Sequence, residues 1–281
     1  MTVLVTGATG KVGSRFVPRL ARRGLSVRVM VRRPDSATAL RALGVEVVQG
    51  DLFNYDSLTQ ALEGVETVVH LAAFFRGATP QEIHSTNVSG TEALAAAAIR
   101  ARVSRLIFAS SNSIFGAGLN RPAREDDPPG KSLNPYAASK VEAERILAQV
   151  CSPAGVGLRV LRFAFVYGEG DPHISESLPR FSSWNPARRL HMVHHADVGQ
   201  SLLRAIEAPG LDGRTFNIAD DAPVTVLELA ESMGRPDLVP GDRSQPFDPW
   251  EMLVDTSRAR RELGFRPIFP SYGSALEAGA V

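Results

Sequence analysis

Short β-branched runs punctuate the first half of the chain: TVLVT (2–6), SVRVMV (26–31), VEVVQG (45–50), ETVVHLAA (66–73), SRLIFAS (104–110) and GLRVLRF (157–163). Between most of them lie stretches with helical spacing, at 12–23, 91–101 and 135–150. Runs too continuously apolar to alternate, separated by helices, predict a parallel sheet covered on both faces. Right-handed crossovers make that an α/β, doubly wound parallel sheet of the Rossmann type. The alanine-rich EALAAAAIRARV is a strong helix former suited to close packing on such a sheet. After Gly168 the pattern changes. Residues 171–190 are rich in Pro, Ser and Arg and read as a loop-rich insertion, while APVTVLELAESM and DTSRARRELGF read as helices. The expected organisation is a doubly wound core over 1–168 and a small C-terminal lobe, mainly 169–281, with some segments returning to the core.

Composition narrows the picture. The chain has 281 residues, of which 44% are hydrophobic, enough for a sizeable core. Its 31 basic and 30 acidic side chains nearly cancel, which argues against a broad field for nucleic acid or an anionic membrane. Cys151 is the single cysteine, so no internal disulfide forms, as suits a reducing compartment. No apolar run reaches the ~18 residues a spanning helix needs. The N-terminus enters VLVTGATG at once, without the pattern of a signal peptide. These features predict a soluble, cytoplasmic protein.

The segment TGATGKVG places Gly7, Gly10 and Gly13, with Thr9, Lys11 and Val12 between them, directly after the first strand and before the first helix. Glycines there let the backbone turn sharply and approach a pyrophosphate at the helix N-terminus. An acidic residue about 20 positions on would hydrogen-bond the adenosine ribose of NAD. The second strand instead runs into Arg32 and Arg33. Arginines suit a 2′-phosphate, so NADP is favoured over NAD.

A second motif, NPYAASKVEAERILAQ, sets Tyr136 and Lys140 one helical turn apart on one face. Alone, such a pair is an ordinary helix-surface contact. In order along the chain, however, TGATGKVG, GDLFNYDSL, HLAA, NVSGT, FASSNSIFG, NPYAASK, LRFAFVYGEGD, MVHHADVG, FNIADDAPVTVLELAE and ARRELGFRP resemble the extended short-chain dehydrogenases/reductases. That family includes nucleotide-sugar epimerases, dihydroflavonol-type reductases and steroid dehydrogenases.

The resemblance implies a catalytic triad of Ser111, Tyr136 and Lys140. A free phenol, with a pKa of about 10, is a poor base near neutrality. A nearby ammonium and the cofactor's positive charge are expected to lower that value. Tyr136 would then exchange a proton with the substrate oxygen, Ser111 would hold that oxygen, and Lys140 would also anchor the nicotinamide ribose. The resemblance further implies adenine contacts from Asp51 and Leu52, close passage of Leu71, Ala72 and Ala73 to the cofactor, and backbone support from Asn87. Asn87 also reads as a helix cap. Phe74, Asn112, Ser113, Phe163 and Phe165 are candidate substrate contacts, and Phe75 and Phe181 add to an apolar pocket.

The reaction is narrowed by what the motifs lack. The family's dehydratases carry an Asp–Glu pair after the hydroxyl residue, where this chain has Asn112 and Ser113. Epimerase contacts to a diphosphate are weakened: Ala164 and Phe165 replace an Asn, Arg189 stands five residues before His194 instead of four, and LVPGD lacks an Arg. A reductase or dehydrogenase acting on a secondary alcohol or ketone carbon is therefore the leading expectation. A nucleotide-sugar 4-epimerase with retained NAD is the enzyme alternative, and a non-catalytic NAD(P) sensor is a third reading. His191, His194, His195 and Asp197 lack zinc-helix spacing and read as structural or pocket-lining, so no metal is expected. The resemblance also implies a homodimer through a four-helix interface built from 80–101 and 135–150.

Overall fold

The computed structural model describes every residue except Arg76 and 240–242; the LVPGD segment therefore lies partly outside the described residues. Strands β1 (Thr2–Thr6), β2 (Ser26–Val31), β3 (Glu46–Gln49), β4 (Thr67–His70), β5 (Arg105–Ser111) and β6 (Gly157–Phe163) coincide closely with the runs read from the sequence. Among the described residues they form a seven-stranded parallel sheet in the order β10-β6-β5-β4-β1-β2-β3, with β10 at Arg214–Ile218. The switch point of this doubly wound sheet lies between β1 and β4, which pair in register from Val3 opposite Thr67 to Thr6 opposite His70. The helices of this part are α1 (Gly13–Ala21), α2 (Thr38–Arg41), α3 (Tyr55–Leu62), α4 (Pro80–His84), α5 (Gly90–Arg100) and α6 (Pro135–Cys151).

Two compact units emerge. The first comprises Met1–Ser111, Leu133–Arg162 and Gly199–Thr215. Its core packs Leu4, Val68, Leu106 and Phe108 of the sheet against Leu58, Leu94, Ala98 and Leu147 of the helices. Alanines along α5 let that helix approach the sheet closely, and Ala95 and Ala98 are fully buried. Asn54 caps α3 by accepting from the Ser57 N–H, and Asn134 caps α6 by accepting from the Ala137 N–H. Pro135 then occupies the first turn of α6, where no amide is needed.

The second unit comprises Asn112–Ser132, Phe163–Val198 and Phe216–Val281. It holds β7 (Phe165–Tyr167), α7 (His173–Phe181), β8 (Arg189–Leu190), β9 (Met192–His194), β11 (Val224–Thr225), α9 (Val226–Ser232) and α10 (Tyr272–Glu277); α8 (His195–Glu207) begins here and ends in the first unit. The stretch 171–190, read as loop from its composition, contains the nine-residue helix α7. Ile174, Leu178 and Phe181 supply its buried face at i, i+4 and i+7, although Pro179 sits inside it. These side chains join Tyr167, Met192, Leu229 and Tyr272 in a core of their own. No described helix is long and apolar enough to cross a membrane.

Candidate active site

The glycine loop follows directly from the end of β1. Gly7 has φ +71°, and a Cβ there would fall 2.5 Å from the Ala72 amide nitrogen, so both conformation and space demand glycine. Gly13 packs as tightly: a Cβ would lie 2.2 Å from the Gly7 carbonyl oxygen. Gly10 differs. Its nearest neighbour to a Cβ is the Gly7 oxygen at 3.3 Å, a tight contact but far milder than those at Gly7 and Gly13. Thr9, Gly10 and Lys11 are exposed, with Val12 half-buried at the entry to α1. A glycine turn leading into a helix start fits a pyrophosphate, which is what a dinucleotide cofactor would place there. Arg32 and Arg33 lie exposed just past β2. Leu52 is buried against the Gly90 backbone, and the Asp51 carboxylate accepts the Phe53 N–H at 2.9 Å. Leu71 and Ala72 are half-buried and Ala73 exposed where the chain leaves β4 past Gly7.

Ser111 ends β5, and Tyr136 and Lys140 project from the first turns of α6; all three belong to the first unit. The Tyr136 and Ser111 hydroxyls are hydrogen-bonded. Lys140 is buried, donates to the Ala109 carbonyl at 2.8 Å, and stands 4.7 Å from the centroid of the Phe108 ring and 5.7 Å from that of Tyr136. Burial pushes the Tyr136 phenol up to about 12, offset in part by the bond from Ser111. The expected lowering by the ammonium is therefore not the dominant effect in the protein alone: desolvation of a phenolate outweighs it. Burial also lowers Lys140 to about 8, with Glu144 acting in the opposite direction.

A buried polar chain supports this centre. Asn87 does not cap a helix; it sits in a π-helical turn, Ser85–Ser89, between α4 and α5. Its amide grips the Phe74 backbone twice, accepting from N–H at 2.8 Å and donating to C=O at 2.9 Å, and also donates to Ser139 Oγ at 3.0 Å. Ser139 in turn donates to the Tyr136 carbonyl at 2.7 Å. The Thr91 hydroxyl donates to the Asn87 carbonyl at 2.7 Å, which leaves it as acceptor for His70 Nε2–H at 2.9 Å. His70 Nδ1 then accepts from Thr6 Oγ1 at 2.6 Å. His70 is neutral: burial, with Lys140 nearby, lowers it to about 3. The segment held by Asn87 presents Phe75, whose ring meets Tyr136 edge-on at 4.7 Å between centroids.

Sequence reasoning singled out Asn87 but not His70, Ser139 or Glu144. Glu144 follows Lys140 at the same four-residue interval that joins Lys140 to Tyr136, and that spacing is the signal that could have found it. The remaining candidates belong to the second unit. The Asn112 side chain donates to the Met252 carbonyl at 2.7 Å, and Ser113 is half-buried in the same 3₁₀ turn. Phe163 is buried, and Phe165 stacks on His173 with ring centroids 4.0 Å apart. The histidines of the HMVHHAD segment each have a partner. His191 Nε2 donates to the Asp220 carbonyl while its Nδ1 accepts the Val254 N–H. His194 Nε2 donates to the Ala280 carbonyl, and His195 meets the Asp171 carboxylate at 2.8 Å. Asp197 accepts the backbone N–H groups of Ile268 and Phe269. Among the described residues no group of three or more His, Cys, Asp or Glu converges as a metal site.

A doubly wound sheet with a glycine cradle at its switch point defines the class of dinucleotide-binding α/β proteins. Comparison with known proteins makes this specific. The sequence pattern of the NAD dependent epimerase/dehydratase family matches residues 3–219, and the chain belongs to that family, among the extended short-chain dehydrogenases/reductases. The family's members include dehydrogenases, reductases and epimerases. A relative from Stigmatella aurantiaca, 4-hydroxy-2-methyl-3-oxo-4-farnesyl-3,4-dihydroquinoline-1-oxide ketoreductase, is 32% identical over 80% of this chain and 70% of its own. The structure of MoeE5 in complex with UDP-glucuronic acid and NAD is 30% identical, with TM-score 0.79, over 95% of this chain and 94% of that one. A short-chain dehydrogenase/reductase superfamily protein from Agrobacterium tumefaciens with bound NAD is 26% identical, with TM-score 0.81, over 99% of this chain and 95% of that one.

Proposed function

We propose that the chain is a nicotinamide-dependent reductase or dehydrogenase acting on a secondary alcohol or ketone carbon. The observation that carries this reading is the hydrogen bond between Tyr136 and Ser111, beside buried Lys140, at the end of β5. When bound, the cofactor supplies or accepts the hydride. Tyr136 moves the proton at its hydroxyl oxygen, giving it to a ketone oxygen or taking it from an alcohol. Its high pKa makes the protonated phenol the resting form, which suits reduction. Ser111 orients the substrate oxygen, and Lys140 supplies positive charge as the phenol gives up its proton. Arg32 and Arg33, where a ribose-binding carboxylate would stand, favour NADP over NAD. The likeness to the Stigmatella ketoreductase supports the same reaction class.

A second reading, a nucleotide-sugar epimerase with retained NAD, is favoured by the likeness to MoeE5 with its UDP-sugar and NAD. Against it, Ala164 and Phe165 offer no amide after β6, and the Arg189 guanidinium donates to the Pro249 carbonyl at 2.8 Å. Purified protein titrated with NADPH and NADH, then assayed on ketones, aldehydes and nucleotide sugars, separates the readings. Tighter NADPH binding, ketone turnover and a loss of about 10²-fold or more in Tyr136→Phe are expected. Turnover of a nucleotide sugar without net cofactor change would instead establish the epimerase, and undiminished function in Tyr136→Phe would establish a sensor.

A further inference from the structure

One face of α6 carries Tyr136, Lys140 and Glu144 at successive four-residue intervals, and each meets the sheet. Glu144 is held more firmly than its neighbours. Its Oε1 accepts the Ser110 hydroxyl and, at 3.0 Å, Arg162 Nε; its Oε2 accepts Arg162 Nη2 at 2.6 Å. The Glu144 and Arg162 side chains are 13% and 10% exposed, so the pair is largely desolvated. Phenol, ammonium, carboxylate and guanidinium thus follow one another, anchored on the adjacent strands β5 and β6. Among the described residues, the groups facing Lys140 include, from β5, the Ala109 carbonyl and Phe108 ring, from β4 the neutral His70, and from α6 itself Tyr136 and Glu144. Of these, Glu144 alone brings a negative charge.

We propose that Glu144 is a positioning residue that keeps buried Lys140 charged, with Ser110 and Arg162 fixing the carboxylate in place for that task. An ammonium taken out of water reverts to the amine unless an anion compensates it. Glu144 fills that need one turn away, on the side opposite the tyrosine. The fork from Arg162 fixes the carboxylate against β6, beside but not on Lys140. The inference deepens the proposed function, because a charged Lys140 is what stabilises the departing phenolic proton's counter-charge. Its electrostatic half stands without that reading.

The chain contains three lysines, Lys11, Lys131 and Lys140, of which only the last is buried. Protein carrying ¹³C at lysine Cε therefore gives a short spectrum in which Lys140 titrates apart from the others. Its midpoint is expected near pH 8. Glu144→Gln, which preserves shape, should lower that midpoint by about one unit or more. Arg162→Gln, which leaves the carboxylate and removes its competing cation, should raise it. Either variant that retains native far-ultraviolet circular dichroism decides the matter; an unmoved midpoint, or one moved the wrong way, overturns the inference. The same preparations give the pH dependence of kcat/KM for ketone reduction. A lysine midpoint that falls together with the alkaline limb supports both the inference and the proposed function. A lysine midpoint that falls while the limb stays fixed supports the inference and removes Lys140 from the catalytic account.

Discussion

At the scale of single residues, the glycine loop separates what the fold needs from what a ligand needs. Gly7 is fixed by its left-handed backbone and by Ala72, which leaves no room for a Cβ. Gly7→Ala should therefore cost stability, roughly 1–3 kcal/mol from overpacking, visible as a lowered urea midpoint. Gly10 is less constrained: a Cβ there would crowd only the Gly7 oxygen, at 3.3 Å, and its backbone is not left-handed. Gly10→Ala should leave the unfolding midpoint nearly unchanged and weaken nicotinamide binding at least tenfold, read by fluorescence titration. Equal loss of stability in both variants would mean that the loop serves packing alone. Tyr136 shows a different lesson. Burial, more than the neighbouring ammonium, sets the acidity of its phenol in the protein alone.

At the scale of elements, the last turn of α8 depends on two arginines from neighbouring strands. Arg159 on β6 is fully buried and donates to the carbonyls of Ala205 and Ala208 at 2.7 and 2.6 Å, with its Nε on Asp212 at 2.8 Å. Arg105 on β5 donates to the Ile206 carbonyl at 2.8 Å. Helix ends leave their final carbonyls unpaired, and positive charge suits that end of the helix dipole. Arg159→Met would abandon the buried Ala205 carbonyl and the half-buried Ala208 carbonyl, at about 1–3 kcal/mol for the first and less for the second, so a loss of roughly 2–4 kcal/mol is expected in urea unfolding. A change within about 0.5 kcal/mol would show that water replaces the guanidinium. The π-helical turn at Ser85–Ser89 is the other element-level device. By inserting Asn87 between α4 and α5, it turns a residue of helix-capping type into a clamp on the Phe74 peptide.

At the scale of the whole molecule, buried ionisable groups make stability depend on pH from both units. His70 and His191 are lowered by burial to about 3 and about 4 from an ordinary 6.5. The unfolded chain then binds more protons between those values and 6.5, so their contribution to stability falls as pH falls through that window. Asp220 acts in the opposite sense. Burial, reinforced by the Asp197 carboxylate, raises it to about 8 from 3.8. A raised carboxyl contributes stability that is full below the unfolded value and lost as pH rises through the folded one. Asp220→Asn should therefore gain in Tm over the parent progressively from about pH 4 to pH 8 and level off above it. A difference that stays constant across that range would refute the assignment.

The sequence by itself determined the parallel sheet, because β-branched runs buried on both faces and helical spacing between them leave few other solutions. It determined the glycine loop and the Tyr136–Lys140 face for a local reason: a turn after a strand and a single helical turn are read within a few residues. Helix α7 was hidden because Pro, Ser and Arg dominate its composition while only Ile174, Leu178 and Phe181 report its buried face. What tertiary structure alone decided involves partners far apart in the chain. Asn87 finds Phe74 and Ser139, His70 joins Thr6 to Thr91, and Glu144 is fixed by Ser110 and Arg162. The acidities of Tyr136 and Lys140 belong to the same class, since burial raises the one and lowers the other, and burial is created only when separate segments close over a side chain.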